Sequence, residues 1–314
     1  MKCSCGKEAV YYRRNEGNFY CKACFCDQFE KKVKKHIRQG NLVAPGDAIA
    51  VALSGGKDSS TALYLMAKTF SKRKDVRIFA LTIDEGIKGY RNRSLENAKA
   101  LAKSLGVEHH VVSFKRVFGM SLDGIIRKLG RTPLKSGLGG ACTWCGVFRR
   151  YALNKSAREL GATKVCTGHN LDDEAQTFLI NCLKGDTNKL FRSNSQIPSR
   201  KQQKTGFVQR IKPLRLIPEK EIALYAMLGG INNYWGECPY ASGMRFEVRD
   251  FLNTLETNHP GIKFGLVEAF DSILSHAAAG KNVEESEILA CESCGEPSSS
   301  KKCKACTLVD FIRK

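Results

Sequence analysis

Segment 48–70 restricts the fold more than any other part of the chain. AIAVAL (48–53) is a short apolar run bounded by glycines, the pattern of a buried strand. It runs through SGGKDSS (54–60) into TALYLMAKTF (61–70), which reads as a helix. Strand, glycine turn and helix in that order build a cradle for phosphate. Ser54, Gly55 and Gly56 let the backbone approach an anion closely, and the helix N-terminus adds amide donors and the positive end of its dipole. Lys57 can neutralise phosphate charge, Asp58 can help hold Mg²⁺, and Ser59 and Ser60 complete the loop. The spacing is too short for the Walker A pattern, G-x-x-x-x-G-K-S/T. A tight glycine turn with incidental Lys and Asp leaves the order of the three elements unexplained.

The alternation continues downstream. RIFALTI (77–83), HHVVSF (109–114) and TKVCTG (163–168) read as further strands. SLENAKALAKSLG (94–106), FRRYALNKSARELG (148–161) and LDDEAQTFLINCLKG (171–185) read as helices, as do 219–229 and roughly 244–257. Residues 186–209, rich in Ser, Asn, Gln and Lys, read as an exposed, mobile basic loop. This predicts an α/β fold, a doubly wound parallel sheet of Rossmann-like type. TGHNLDDEAQ (167–176) again joins a strand to a helix, and its acidic residues suit either helix capping or Mg²⁺. Asp172 and Asp173 are equally placed for that role at this level.

Cysteine spacing divides the chain. Cys3-x-Cys5 and Cys21-x-x-Cys24 lie at one end, with Cys26 beside them; Cys291-x-x-Cys294 and Cys303-x-x-Cys306 lie at the other. Neither end is long enough to bury a core, so each is expected to be a metal ribbon that folds on its ion. The expected division is a ribbon at 1–30, a main domain at 31–285 and a second ribbon at 286–314. The N-terminus MKCSCGKEAV lacks the apolar core of a signal peptide, and no run of roughly eighteen apolar residues predicts a membrane span. A cytoplasmic protein is expected, where 14 cysteines favour metal or redox chemistry over disulfides.

Cys142-x-x-Cys145 stands in GGACTWCGVFRR (139–150), expected just before a helix, and Cys238 lies far downstream in ECPY. Arg149 and Arg150 and the helix N-terminus should lower the pKa values of Cys142 and Cys145. Three thiolates suit an iron–sulfur cluster with one iron left open, a zinc site wanting a fourth ligand, or a reversible disulfide. Cys166 and Cys182 fall inside a strand and a helix and are expected to be structural. Lys and Arg number 51 against 31 Asp and Glu, a net charge of +20. Such a charge implies a polyanionic partner, and the absence of one basic amphipathic helix favours nucleic acid over a membrane surface.

SGGKDS, CTWCGVFRR, TGHNLDDEAQ, the third cysteine and a ribbon at each end together resemble one family across nearly the whole chain. It is the iron–sulfur-dependent tRNA 2-thiolation enzymes of the PP-loop ATP pyrophosphatase superfamily, the TtuA and NcsA group. The CT-x-CG-x-FRR and GHN-x-DD segments resemble its wobble-uridine branch. The resemblance implies adenylation of the C2 oxygen of a tRNA uridine by ATP, release of pyrophosphate, and replacement of the oxygen by sulfur delivered by a 4Fe-4S cluster. It implies that Cys142, Cys145 and Cys238 hold the cluster, with Asp173 and Lys57 also catalytic. ATP would be bound by Ala52, the loop from Ser54 to Ser60, Ile83, Arg149, Gly168 and Asp173. Two Zn²⁺ ions would sit in Cys3, Cys5, Cys21, Cys24 and in Cys291, Cys294, Cys303, Cys306. The first ribbon departs from the family in having one residue, not two, between its first cysteines, so Cys26 is a possible substitute ligand. Free sulfide or a ubiquitin-like sulfur carrier would be the donor, and a homodimer the assembly. The alternatives are a T-loop uridine or cytidine thiolase, another PP-loop enzyme such as an amidotransferase or lysidine synthetase, and a non-catalytic zinc-ribbon RNA-binding protein.

Overall fold

The computed structural model describes residues 1–130, 140–186, 190, 206–279 and 288–313. The stretch expected to be a basic loop lies almost wholly outside them, as does the expected boundary at 285.

A five-stranded parallel sheet forms the centre. Its strands are β3 (Ala48–Ala52), β4 (Arg77–Asp84), β5 (Glu108–Ser113), β6 (Lys164–Cys166) and β7 (Gln209–Ile211), in the order β5-β4-β3-β6-β7. Period-two alternation sends Ile49 and Val51 of β3 to one face and Ala50 to the other, while Phe79, Leu81 and Ile83 of β4 share that second face. Both faces are covered, as a parallel sheet requires.

On the first face lie α1 (Lys22–Gln39), α2 (Lys57–Phe70), α3 (Arg91–Ser104) and, later in the chain, the helix Glu219–Leu228; Phe29, Leu63, Met66 and Ile222 meet there. On the second lie α4 (Phe114–Phe118), α5 (Leu122–Leu129) and α6 (Ala141–Glu159), whose Phe114, Ile125, Trp144 and Phe148 are fully buried. Helices α7 (Leu171–Leu183), α8 (Glu219–Leu228), α9 (Met244–Asn258) and α10 (Ile262–Ala279) follow. The last two pack on α7 through Leu171, Val248, Leu252 and Val267.

The direction of winding reverses at β3. From β3 the chain moves outward to β4 and β5, then returns to β6 on the other side. Loops leaving adjacent strands at such a point part to opposite faces and leave a crevice at the strands' C-terminal ends, where ligands bind in open α/β sheets.

The ends of the chain are small and alike. A hairpin, β1 (Tyr11–Arg13) with β2 (Asn18–Tyr20), precedes α1; a shorter one, β8 (Leu289–Ala290) with β9 (Pro297–Ser298), precedes α11 (Lys304–Arg313). Helix α1 runs unbroken through residue 30 and buries Phe25, Phe29, Val33 and Ile37 against the core. The ribbon and the domain therefore share one helix, with no linker at the expected edge. Among the described residues no helix is long and apolar enough to cross a membrane.

Candidate active site

Two helix N-termini face one another across the crevice. Helix α2 begins after Gly56, at the end of β3, and α7 begins after Asn170, at the end of β6. In the first loop the Ser54 amide donates to Ser59 Oγ (3.0 Å), closing the turn. Gly55 has φ +87° and a Cβ there would lie 1.9 Å from the Ser94 carbonyl oxygen, so only glycine fits. In the second loop, a Cβ on Gly168 would lie 2.8 Å from Asp58 C and Ser59 N. Gly168 thus lets the two loops touch, a contact within the protein that its sequence position does not reveal.

Asn170 ties the two helices. Its side chain caps α7 by accepting from the Asp173 amide (3.0 Å), and its Nδ2 donates to Asp58 Oδ1 (3.1 Å). Asp173 returns a contact to the Asn170 amide (3.3 Å), completing a capping box. Asp58 and Asp173 are therefore both set at helix N-termini, where the dipoles favour anions. Burial pushes both carboxyl pKa values up, Lys57 opposing it at Asp58 and Arg245 at Asp173.

A cavity of about 410 Å³ opens between these loops. Of the residues expected at the nucleotide, Ala52, Ser54, Gly56, Asp58 and Ser59 line one wall. Ile83, Arg149, Gly168 and Asp173 line the others. Gly55, Lys57 and Ser60 are not in the walls. Ser60 is buried within α2, and Lys57 Nζ is held by Glu219 Oε1 (2.6 Å) and Asp58 Oδ2 (2.9 Å). Burial disfavours the lysine's charge, but these two carboxylates outweigh it and raise its pKa.

The ambiguity between the two aspartates resolves. Asp172 is buried away from the cavity, accepting from the Glu219 amide (2.7 Å) and pairing with Lys263. It fastens α8 and α10 to α7, and Asp173 alone of the two faces the cavity.

Sequence reasoning missed the groups that join the ends of this cleft. Arg91, buried on α3, donates to the carbonyls of Ser54 and Ile83 (both 2.6 Å). Its Nε lies 3.0 Å from Glu85 Oε2, and the other oxygen of Glu85 lies 2.8 Å from Arg149 Nε. Arg149 NH2 in turn donates to Cys145 Sγ (3.0 Å). A buried carboxylate thus bridges the phosphate loop and the central cysteines. Arg150 and Arg210 also line the cavity and with Arg149 give it a cationic wall, whereas His169 beside them is held neutral, its pKa pushed down to about 4 by burial.

The CTWC segment stands inside α6, in its first turns, rather than before a helix. Cys142 is exposed and its thiol donates to the Tyr240 carbonyl (3.1 Å), which brings the Cys238 loop beside α6. The expected lowering of thiol pKa fails at Cys145. Burial pushes Cys145 up against the weaker pull of Arg149, and it pushes Cys238 up against the weaker pull of the Tyr240 amide. These sulfurs are not gathered as the terminal tetrads are. A cuboidal cluster needs that spread, since each thiolate ligates a different iron. Three thiols with no fourth cysteine placed among them fit a cluster with one open iron better than zinc. Cys166 is fully buried in β6, whereas Cys182 on α7 is exposed and does not pack in the core as expected.

In each ribbon four sulfurs lie within 4.8 Å of one another: Cys3, Cys5, Cys21 and Cys24 at one end, and Cys291, Cys294, Cys303 and Cys306 at the other. Local amides from Cys5 and Cys21 hold Cys3 down to about 6, and at Cys291 such amides outweigh burial to the same effect. Cys26 is outside the first tetrad, packed against the core, where burial raises its pKa. Both tetrads suit tetrahedral Zn²⁺.

Comparison with known proteins gives concordant results. The PP-loop domain family matches residues 26–253. The tRNA 2-thiolation protein NcsA of Haloferax volcanii is 36% identical, with 99% of each chain covered. Cytoplasmic tRNA 2-thiolation protein 1 of Caenorhabditis elegans is 35% identical over 98% of this chain and 79% of its own. Among solved structures, the U34-tRNA thiolase NcsA of Methanococcus maripaludis with its 4Fe-4S cluster superposes with a TM-score of 0.82 at 34% identity, covering 99% of this chain and 96% of that one.

Proposed function

The chain belongs to the tRNA 2-thiolation proteins of the PP-loop family, and on that premise we propose that it is an ATP-dependent tRNA-uridine 2-sulfurtransferase acting at the wobble position. The observation that carries this reading is the phosphate cradle in the cavity wall with the central cysteines just outside that wall, joined to the cradle through Arg91, Glu85 and Arg149, which donates to Cys145.

In this reading the loop from Ser54 to Ser60 and the N-terminus of α2 bind the β- and γ-phosphates of ATP. Lys57 exchanges Glu219 for phosphate oxygens, and Asp58 and Asp173 hold Mg²⁺. The C2 oxygen of uridine attacks the α-phosphorus; the bond to pyrophosphate breaks and pyrophosphate leaves. Arg149 and Arg210 offset the charge that builds on the α-phosphate oxygens. A sulfur nucleophile then attacks C2, the C2–O bond breaks, and AMP carries away the oxygen that was the uridine's. Cys142, Cys145 and Cys238 would hold a 4Fe-4S cluster, which when bound supplies the sulfur at an iron without a protein ligand. The protein's part is to hold the C2 oxygen in line with the α-phosphorus and its leaving pyrophosphate, and to keep a face of C2 open to the sulfur source.

The reading extends to Zn²⁺ in both ribbons, to sulfide or a ubiquitin-like carrier as donor, and to a cytoplasmic homodimer. An oxygen label tests its core. With ¹⁸O at C2 of the target uridine, AMP should emerge carrying ¹⁸O. If AMP takes its oxygen from water while thiolation proceeds, the base is not adenylated and this mechanism is wrong.

A further inference from the structure

We propose that Trp235 is the platform on which a base of the RNA substrate stacks as the target uridine enters the cleft. The inference rests on the thiolation reading and names the contact by which its substrate is held.

The segment 231–240 runs as a strap from the phosphate loop to the cysteines. At its start, the Tyr234 amide donates to the Gly55 carbonyl (2.8 Å) and residue 234 forms a parallel bridge with Gly56. At its end, Tyr240 is fixed twice: its hydroxyl donates to Asp123 Oδ1 (2.8 Å) and its carbonyl accepts from Cys142 Sγ (3.1 Å). Cys238 lies between these anchors. The strap therefore borders the one region that the α-phosphate of ATP, the sulfur source and the incoming base must share.

Tyr234 and Gly236 determine what happens between them. The Tyr234 ring packs edge-on against Tyr90, with centroids 5.7 Å apart. That ring fills the space above Gly236, where any Cβ would fall 2.2 Å from its Cζ. With the Tyr234 ring turned back over Gly236, which has no side chain, the intervening Trp235 is left 55% exposed. The only other tryptophan, Trp144, is fully buried in α6.

A large indole on an anchored backbone beside a cationic cleft meets the needs of an unstacked base. Every base has a π-face, so an aromatic surface compensates for the stacking lost when a loop nucleotide is splayed out. A chain of net charge +20 supplies the attraction for the phosphates around it.

The test uses the full chain with its cluster and zinc in place and an unmodified anticodon stem-loop RNA as probe. In Trp235→Ala the KM for RNA should rise about tenfold or more, while iron content and ATP affinity stay at the wild-type level. Trp235→Phe should recover most of the loss. RNA should quench the emission of the exposed indole in the wild type, and that quenching should be absent in Trp235→Phe. An unchanged KM in Trp235→Ala, or wild-type emission indifferent to RNA, would overturn the proposal. So would a Trp235→Ala chain whose oligomeric state changes while its KM does not, since the indole would then cover a protein surface. A wild-type chain that binds RNA with quenching yet never thiolates it would sink the functional reading and leave the stacking contact standing.

Discussion

Glu85 is the residue through which the two halves of the site feel each other. It is buried, and both of its oxygens are taken by arginines, one gripping the phosphate loop and one a cysteine. Glu85→Gln keeps the shape and removes the charge, leaving two guanidinium groups with no counter-charge between them. We expect a KM for ATP raised about tenfold and a lower iron content after reconstitution, read by ATP titration and iron assay; removing one partner of a buried charge network costs about 3 kcal/mol or more. Loss of neither property would mean that the bridge is only structural filling. Gly168→Ala tests the contact between the loops. Its methyl would meet the backbone at Asp58 and Ser59, which cannot swing aside. Pyrophosphate release should fall at least about tenfold and stability by about 1–3 kcal/mol; full release would show that the loops need not touch. The glycines, Lys57 and the aspartates were legible in the sequence because contiguous motifs encode them. Glu85 and Arg91 were not, because their meaning depends on where α6 delivers Arg149, a contact between residues 64 positions apart.

At the scale of elements, α7 is the hinge of the design. Its N-terminus faces the cavity, and its other side is bound through Glu174, which pairs with Lys212 (2.7 Å) and Arg215 (3.0 Å), while Arg215 also reaches Asp271 of α10. Burial raises the Glu174 pKa, but the two cations outweigh it and hold it below the ordinary value. A carboxylate with a lowered folded pKa stabilises above its unfolded pKa, and that stability is lost as pH falls through the folded value. Glu174→Gln should therefore cost about 3 kcal/mol at pH 7, and the gap from wild type should narrow below about pH 4.5. Urea unfolding across pH would show it, and a gap independent of pH would contradict the pairing. The C-terminal ribbon does similar work for α6. Glu296 is bound by Arg158 and Asn154, and Phe311 packs near Trp144. Cys303→Ser should accordingly lower cluster occupancy as well as zinc, although it lies outside the central cysteines. Iron retained in full would separate the two sites. Strands β3 to β6 were readable from periodicity, as were α2, α3 and α7 after them, whereas the three-residue β7 and α1 were not. Helix α10 was not: its polar positions are few, and the pattern of a helix packed between others carries little contrast.

Over the whole molecule, one reversal of winding places two helix N-termini and a cationic wall around one cavity, with Cys145 joined to that wall through Arg149 and a four-cysteine ribbon fastened at each end. The α/β class and the ribbons were legible because both depend on short-range pattern. The strap from 231 to 240 was not, since its course is set by two anchors on distant elements. The central claim is that this cleft replaces a uridine oxygen with sulfur. The direct measurement is made without oxygen, on protein reconstituted with iron and sulfide and given ATP, Mg²⁺, sulfide and unthiolated tRNA, with nucleoside mass spectrometry as the readout. The account predicts 2-thiouridine at the wobble position, absent in Lys57→Ala and in Cys142→Ala. Unaltered tRNA and no pyrophosphate, from protein that holds its cluster, would contradict it.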